Sequence, residues 1–209
     1  MHENFQSRFL GTIRFTDGVQ AQAEALATLK AAAGHAVVLG LEHHPVITLG
    51  IRGTAADLVS PAQLSIRDID LQVTGRGGQA TLHSPGQLVI YPCINLRSFG
   101  LGARKYVELV QEATIACLFS LGVHAEQSTR EPGLFVDGGK VAAFGFKIER
   151  GLTSHGLAIN VTNDLSYFDL IRTCGVASQK VTRLHDHGVN INTESLFLNW
   201  LNHFKAHLF

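Results

Sequence analysis

The chain has little charge of either sign, and its charge is balanced. Only 16% of its 209 residues are Asp, Glu, Lys or Arg, and 17 basic residues match 17 acidic ones, so the formal net charge is zero. Nucleic-acid-binding proteins usually carry a basic surface and a high pI, whereas the pI of this sequence is about 7.2. The composition therefore excludes the usual signature of a nucleic-acid partner.

Cysteine and long apolar runs are also scarce. The three cysteines, Cys93, Cys117 and Cys174, are odd in number and far apart, which argues against a disulfide framework or a zinc finger. No apolar run approaches the ~18 residues of a membrane span. The first twenty residues lack the apolar block of a secretory signal. We therefore expect a cytoplasmic protein with no membrane partner.

Hydrophobic patterning predicts a mixed order of strands and helices within one domain, residues 1–209. Strands are expected at residues 9–15, 36–41, 46–49, 79–83, 87–96, 134–136, 140–148 and 153–161. Helices are expected at residues 17–34, from 61, and at 103–121 and 195–208. Hairpins dominate the middle of the chain, and regular β-α-β alternation is missing. The expected fold class is therefore α/β (α+β), with a mixed or largely antiparallel sheet and helices on its outer face.

Two side chains are candidates for chemistry. Cys174 lies in a non-periodic stretch beside a glycine, whereas Cys93 and Cys117 fall on apolar faces where a thiol is usually a small buried hydrophobe. Lys140 begins a strand on the face of Ala142, which is expected to be interior. A lysine beside a cysteine favours the thiolate and can accept its proton. The residues alone leave open an inert Cys174 and a Lys140 that reaches water.

The glycine-rich segments fail the tests for nucleotide-binding loops. Residues 133–140 resemble a P-loop, but the lysine comes one place too late and Val141 replaces the required Ser or Thr. Residues 75–78 lack the third glycine of the dinucleotide fingerprint, because position 80 is Ala. What remains is either a donor-rich loop that a ligand approaches closely or a plain turn.

The eleven histidines do not predict a metal site. Neither the pair His43 and His44 nor the pair His185 and His187 shows helical i, i+4 spacing with a third nearby ligand, and adjacent side chains on an extended segment point to opposite faces. His83 and His155 each stand in a glycine-bearing segment among small residues. They are candidates either for a pocket or for the core.

Five segments together resemble the octanoyltransferases of lipoate biosynthesis (lipoyl(octanoyl) transferases). They are residues 42–50, 76–92, 132–145 and 153–161, and the pair Cys174-Gly175. The resemblance implies an α/β catalytic domain like that of the biotin and lipoate protein ligases. It also implies that Cys174 is the acyl-thioester nucleophile and that Lys140 lowers its pKa. The substrate-binding residues implied are Arg76, Gly77, Gly78, Gln79, Ala80, Thr81, Leu82, His83, Ala143, Phe144, Gly145, Gly156, Leu157 and Ala158.

The reaction implied by this resemblance needs no cofactor and no ATP. Octanoyl-acyl carrier protein is the expected donor. Lipoyl domains of 2-oxoacid dehydrogenase E2 subunits and the glycine cleavage H protein are the expected acceptors. Backbone N–H groups near Gly77 and Gly78 or at Gly156 are candidates for stabilising the tetrahedral oxyanion.

Three positions depart from the family pattern, and three other functions stay open. Ser84 replaces a usual Gly, Thr173 a usual Pro, and Arg183 a usual small residue. An ATP-dependent lipoate or biotin ligase would share the fold and have no use for Cys174. A thioesterase would resolve the acyl-enzyme with water. A non-catalytic module that binds acyl chains or carrier protein would make Cys174 and Lys140 incidental.

Overall fold

Two β-sheets and four α-helices make up the described part of the chain. The computed structural model describes residues 5–31, 36–128, 132–172 and 180–209. The strands are β1 (Phe5–Ile13), β2 (Ala36–His43), β3 (Val46–Leu49), β4 (Asp70–Val73), β5 (Ala80–His83), β6 (Gln87–Ile94), β7 (Glu126–Gln127), β8 (Leu134–Val136), β9 (Gly139–Glu149) and β10 (Leu152–Asn160). The helices are α1 (Phe15–Ala31), α2 (Pro61–Ile66), α3 (Ala103–Ser120) and α4 (Thr193–Leu208).

The larger sheet is mixed, as the sequence predicts. Its seven strands lie in the order β1-β2-β6-β10-β9-β8-β7. The pair β1 and β2 is parallel, and the other neighbouring pairs are antiparallel. The smaller sheet has the order β4-β3-β5, with β3 parallel to β4 and antiparallel to β5. The expected fold class is confirmed.

Helices cover both faces of the large sheet rather than one outer face. On one face, α3 and α4 pack with Val38 of β2 and Ile90 of β6. On the other face, α1 packs with Leu39 and Val89, which are adjacent to Val38 and Ile90 on the same strands. Because successive strand residues point to opposite faces, the continuous apolar runs of β2 and β6 require a cover on each side. Among the described helices, none is long and apolar enough to cross a membrane.

The smaller sheet packs against the chain that leads to Cys174. Ile47 and Leu82 form a cluster with Leu170 and Ile171, which end the short 3₁₀ segment Leu165–Leu170 and follow it. Leu58 also forms an isolated β-bridge with Ile171. These contacts fix the path of the chain as far as residue 172.

The first strand ends earlier than the sequence predicts. β1 ends at Ile13, and Phe15 is the first residue of α1 rather than the last of a strand. The N–H groups of Asp17 and Gly18 both donate to the carbonyl oxygen of Arg14, at 3.1 Å each, and these bonds start the helix. The predicted helix end at Gly34 lies outside the described residues.

Candidate active site

Residues of both β-sheets line two adjoining cavities. The first, here called the lysine cavity, has a volume of about 210 Å³ and is lined by Lys140, Asn160, Phe168 and Val181 among others. The second, the histidine cavity, has a volume of about 50 Å³ and includes His83 and His155. The lining residues common to both are Arg76, Thr81, Ala143, Phe144, Gly145 and Ala158. This shared wall makes the two cavities successive parts of one site.

Lys140 is buried, as predicted, at the beginning of β9. Its side chain is 7% exposed, and its Nζ lies 5.3 Å from the centre of the Phe135 ring. Gly133 makes room for the lysine stem, because a Cβ at Gly133 would lie 2.9 Å from Lys140 Cε. Gly133 also has φ +145°, a conformation open to glycine.

The chain that follows Cys174 is hydrogen-bonded to the Lys140 backbone. The Lys140 N–H donates to the carbonyl oxygen of Lys180 (2.9 Å), and the Thr182 N–H donates to the carbonyl oxygen of Lys140 (3.0 Å). On the other side, the Arg172 N–H donates to the carbonyl oxygen of Asp57 (2.7 Å). Cys174, predicted as the nucleophile, lies outside the described residues, as does Thr173.

Positive charge dominates the polar lining of the lysine cavity. Arg52, Arg76 and Lys140 line it, and no carboxylate is among the described residues that do so. Such a lining favours bound anions and the anionic forms of groups that enter it.

Arg76, a residue of the shared wall, holds its own loop against β3 by hydrogen bonds. Its Nη2 donates to the carbonyl oxygens of Thr48 (2.6 Å) and Gln79 (2.7 Å), and its Nε donates to Thr48 Oγ1 (3.0 Å). Its Nη1 donates to the carbonyl oxygen of Gly77 (2.9 Å). The side chain is only 7% exposed. Arg76 was predicted to bind substrate, and its described bonds give it a role in shaping the cavity.

Replacing Arg76 with methionine is expected to lower the free energy of unfolding by about 3 kcal/mol or more, because it leaves buried carbonyl oxygens of β3 and the loop without donors. Urea unfolding at pH 7 measures the change. Arg52→Met is the matched control: Arg52 lines the same cavity but is exposed, and we expect a change within about 0.5 kcal/mol. Equal free energies of unfolding for Arg76→Met and wild type would contradict this structural role of the Arg76 hydrogen bonds.

The rings of His83, Tyr91 and His155 line the histidine cavity, and the His43 ring packs against His83 and Tyr91. His43 Nε2 and the Tyr91 hydroxyl are hydrogen-bonded at 2.7 Å, and the His43 ring lies 5.7 Å from the His83 ring. His155 has φ +55°, and its N–H donates to Gln22 Oε1 at 2.6 Å. Burial lowers the pKa of His83 to about 3 and of His43 and His155 to about 4. All three rings are therefore neutral at pH 7, which suits an apolar ligand.

These buried histidines predict that the protein loses stability as the pH falls from about 6.5 to about 4. Above this range the rings are neutral in both the folded and unfolded states, so they contribute nothing. Within it, the unfolded chain takes up protons that the folded protein does not. Each histidine then lowers the free energy of unfolding by up to about 1.4 kcal/mol per pH unit.

Urea unfolding at pH 7, 6 and 5 measures this slope. His43→Gln is expected to reduce the slope, because it removes a buried histidine. His185→Gln is the control: it removes an exposed histidine, and we expect the slope to stay as in the wild type. A free energy of unfolding that is flat over this range, or equal slopes in wild type and His43→Gln, would contradict the assignment.

A buried chain of amides, missed in the sequence, connects the two cavities. Gln87 Oε1 and His83 Nδ1 are hydrogen-bonded at 2.7 Å, and Gln87 Nε2 donates to Asn160 Oδ1 at 2.9 Å. Asn160 Nδ2 donates to the carbonyl oxygen of Thr182 at 3.0 Å. The signal was available, since Gln87 and Asn160 are polar residues at the ends of apolar strands. Their pairing across β6 and β10, however, depends on the register.

Nearly all the predicted binding residues meet at this site. The predicted residues that line one or both cavities are Arg76, Gly77, Gly78, Gln79, Ala80, Thr81, His83, Lys140, Ala143, Phe144, Gly145, Gly156, Leu157 and Ala158. Leu82 lies elsewhere. It is fully buried in the core of the small sheet, because it points to the opposite side of β5 from Thr81 and His83.

Gly156 permits the close packing of the strands at this wall. A Cβ there would overlap the carbonyl oxygen of Ile90 and lie 2.7 Å from Pro92 Cδ. The N–H of Gly77, one candidate oxyanion donor, already donates to the carbonyl oxygen of Phe146 (2.9 Å). That bond takes the Gly77 N–H out of the candidate set. Gly156 is paired with Gly145 in the β9–β10 ladder, so Gly78 is the candidate that remains.

Two of the residues that depart from the family pattern, Arg183 and Ser84, lie within the described part of the chain. Arg183 Nη1 donates to the carbonyl oxygens of Thr162 (3.2 Å) and Asn163 (2.9 Å), so the side chain ties the segment after Thr182 to the end of β10. The buried Ser84 Oγ has no hydrogen-bond partner within the described ranges. In the same part of the chain, no three His, Cys, Asp or Glu side chains are arranged to hold a metal ion.

Comparisons with known proteins agree with this architecture. Residues 16–205 match the family model described as the lipoyl protein ligase A/B catalytic domain. A bi-partite lipoate protein ligase from Thermoplasma acidophilum superposes with a TM-score of 0.78 at 16% identity, over 100% of this chain and 84% of that one. The class of protein is thus an α/β catalytic domain of the lipoyl ligase and transferase type.

Closer relatives narrow this class. An octanoyltransferase of Dichelobacter nodosus is 40% identical over 167 residues, covering 79% of this chain and 81% of the relative. The mitochondrial octanoyltransferase LIP2 of Arabidopsis thaliana is 39% identical over 177 residues, covering 84% and 75%. The chain belongs to the lipoyl protein ligase A/B catalytic domain family and, within it, to the octanoyltransferases.

Proposed function

We propose that the protein transfers an octanoyl group from octanoyl-acyl carrier protein to a lysine of a lipoyl domain, through a thioester on Cys174. Lys140 is the activating residue. The observation that carries this proposal is the position of Lys140. It is buried in a cation-lined cavity, and its backbone is bonded to the chain that follows Cys174. The octanoyltransferase relatives support the acyl group and the reaction class.

The two ends of the segment that carries Cys174 support the pairing with Lys140. Cys174 follows Arg172 by two positions, and Arg172 follows the Leu165–Leu170 segment, in which Phe168 lines the lysine cavity. Lys180 and Val181 return beside Lys140.

In the first step, the Cys174 thiolate attacks the carbonyl carbon of the octanoyl thioester. The carbon–sulfur bond to Cys174 forms, and the bond to the carrier sulfur breaks. The proton that Cys174 gave to Lys140 passes to the departing carrier thiolate. One thioester replaces another, so this step is close to neutral in free energy.

In the second step, the neutral lysine amine of the lipoyl domain attacks the Cys174 thioester. A carbon–nitrogen bond forms, the carbon–sulfur bond breaks, and the amine proton passes through Lys140 to the Cys174 sulfur. Formation of an amide from a thioester drives the overall reaction. The N–H group of Gly78, which lines the lysine cavity, is the donor we assign to the oxyanion.

The octanoyl chain occupies the histidine cavity in this proposal. Ala143, Leu157 and Ala158 supply apolar lining, and the rings of His83 and His155 are neutral at pH 7. Each buried methylene contributes about 0.8 kcal/mol to binding. The carbonyl end then lies in the lysine cavity, at the shared wall near Lys140.

Incubating the protein with octanoyl-acyl carrier protein and an apo lipoyl domain, without ATP, tests the proposal. The expected result is one octanoyl group on the lipoyl-domain lysine, detected by intact mass. A modification that forms only from free octanoate with ATP would instead identify a ligase. Release of free octanoate without transfer would identify a thioesterase, and binding without turnover would identify a binding module.

We also place the protein, residues 1–209, as a single catalytic domain in the cytoplasm. The family match over residues 16–205 supports the single domain. Cys93 and Cys117 are free and buried, which suits a reducing compartment.

A further inference from the structure

A third cavity begins where the histidine cavity ends. This α1–α2 cleft is lined by residues from the start of α1, the turn between β2 and β3, and the α2 region, and its volume is about 810 Å³. Its lining residues are Arg14, Phe15, Thr16, His44, Pro45, Val46, Leu64, Ser65, Asp68, Ile69 and Asp70. The lysine cavity shares none of these residues, so the α1–α2 cleft lies beyond the opposite end of the site.

Phe15 is the one residue that lines both the histidine cavity and the α1–α2 cleft. Its side chain is 6% exposed, and its ring lies 5.2 Å from the His43 ring. His43 in turn contacts His83 and Tyr91 of the cavity lining. The Phe15 ring is therefore a wall between the small histidine cavity and a cleft that is several times larger.

The start of α1 holds this wall in place. A Cβ at Gly18, one turn after Phe15, would lie 2.8 Å from His43 Cε1, so the helix packs against the histidine without space to spare. His43 Nδ1 is hydrogen-bonded to the carbonyl oxygen of Ile13 (3.2 Å), and Gln22 accepts from the His155 N–H. These bonds on either side of Phe15 give the cavity a fixed end.

In the proposed reaction the acyl chain runs from the lysine cavity into the histidine cavity. With the carbonyl at the shared wall near Lys140, the methyl end points away through the histidine cavity toward Phe15. A longer chain would need the space that Phe15 fills. Beyond the ring, Val46, Leu64 and Ile69 offer apolar surface in the α1–α2 cleft.

We propose that Phe15 is a specificity-determining residue: its ring closes the acyl site and limits the length of the chain that the enzyme transfers. This inference rests on the proposed octanoyl transfer. Removing the ring would join the histidine cavity to the α1–α2 cleft and admit longer chains.

Transfer to an apo lipoyl domain from octanoyl-, decanoyl- and dodecanoyl-acyl carrier protein tests this inference. We expect Phe15→Ala to raise the ratio of kcat/KM for dodecanoyl over octanoyl by at least about tenfold, because pockets discriminate methylenes by factors of this size. Phe15→Leu is expected to give a smaller rise in the same direction, and it stands in if Phe15→Ala fails to fold. Phe204→Leu removes similar volume from α4 on the opposite face of the large sheet and should keep the wild-type ratio.

The outcomes separate this inference from the proposed function. Octanoyl transfer by the wild type, with an unchanged ratio in Phe15→Ala and Phe15→Leu, overturns the role of Phe15 and leaves the transferase intact. An equal rise in Phe204→Leu also overturns it, because general loosening would then explain the effect. No transfer of any chain by the wild type overturns the proposed function itself.

Discussion

Lys140→Met is expected to slow octanoyl transfer at pH 7 by about 10²–10⁴-fold while changing KM for the carrier substrate much less. Methionine keeps the buried stem and its packing against Phe135 and Gly133, so the loss is that of the amine. Without the ammonium, the Cys174 thiol must ionise near its ordinary pKa of ~8.5. The deficit of the variant should therefore shrink as the pH rises from 7 to 9.

The pH dependence separates activation of the thiol from a structural role. Steady-state rates of wild type and variant across this range, with circular dichroism to verify folding, provide the comparison. Lys147→Met is the matched control, since Lys147 lies on the same strand, is 43% exposed and pairs with Glu149 at 2.9 Å. A deficit that is constant with pH would remove Lys140 from the activation of Cys174.

Cys174→Ala is expected to abolish octanoyl transfer, with a fall in kcat of at least about 10³-fold, because alanine cannot form the covalent intermediate. Cys174→Ser should retain at most a trace, since a hydroxyl is a far poorer nucleophile near pH 7. The measurement is the rate of octanoyl appearance on the lipoyl domain.

The other cysteines supply the control for this prediction. Cys117 lies in the core on α3, where burial raises the pKa of its thiol to about 12, and Cys93 is in the same situation on β6. Neither ionises near neutral pH, so Cys117→Ala should retain transfer activity. Full activity of Cys174→Ala, or loss of activity in Cys117→Ala with the fold intact, would refute the assignment of the nucleophile.

Local sequence patterns predicted much of the fold. The apolar runs of β2 and β6, the Asp137-Gly138 turn before β9 and the spacing along α3 each predicted their element to within a few residues. The two-residue strand β7 was not predicted, because two exposed residues show no periodic pattern. The prediction that Phe15 ends a strand is wrong, because the alternation of Ile13, Arg14 and Phe15 fits the end of a strand and the start of a helix equally well.

The site was predictable where a residue was out of place and hidden where it depended on register. Lys140 stands out because a lysine on an interior strand face is costly. The link from Gln87 to Asn160 requires knowing that their strands pair at that position, which sequence patterns do not specify. The role of Arg76 was also hidden, because its donors reach Thr48, far away in the sequence. The position of Phe15 between two cavities could not be predicted either, because the cavities form only when distant segments pack together.

The most direct test of the account is the intact mass of the wild-type protein after mixing with octanoyl-acyl carrier protein, without ATP and without acceptor. The account predicts one octanoyl adduct that hydroxylamine removes, that maps to the peptide containing Cys174, and that disappears when apo lipoyl domain is added. An unmodified protein, or an adduct on any other residue, would contradict it.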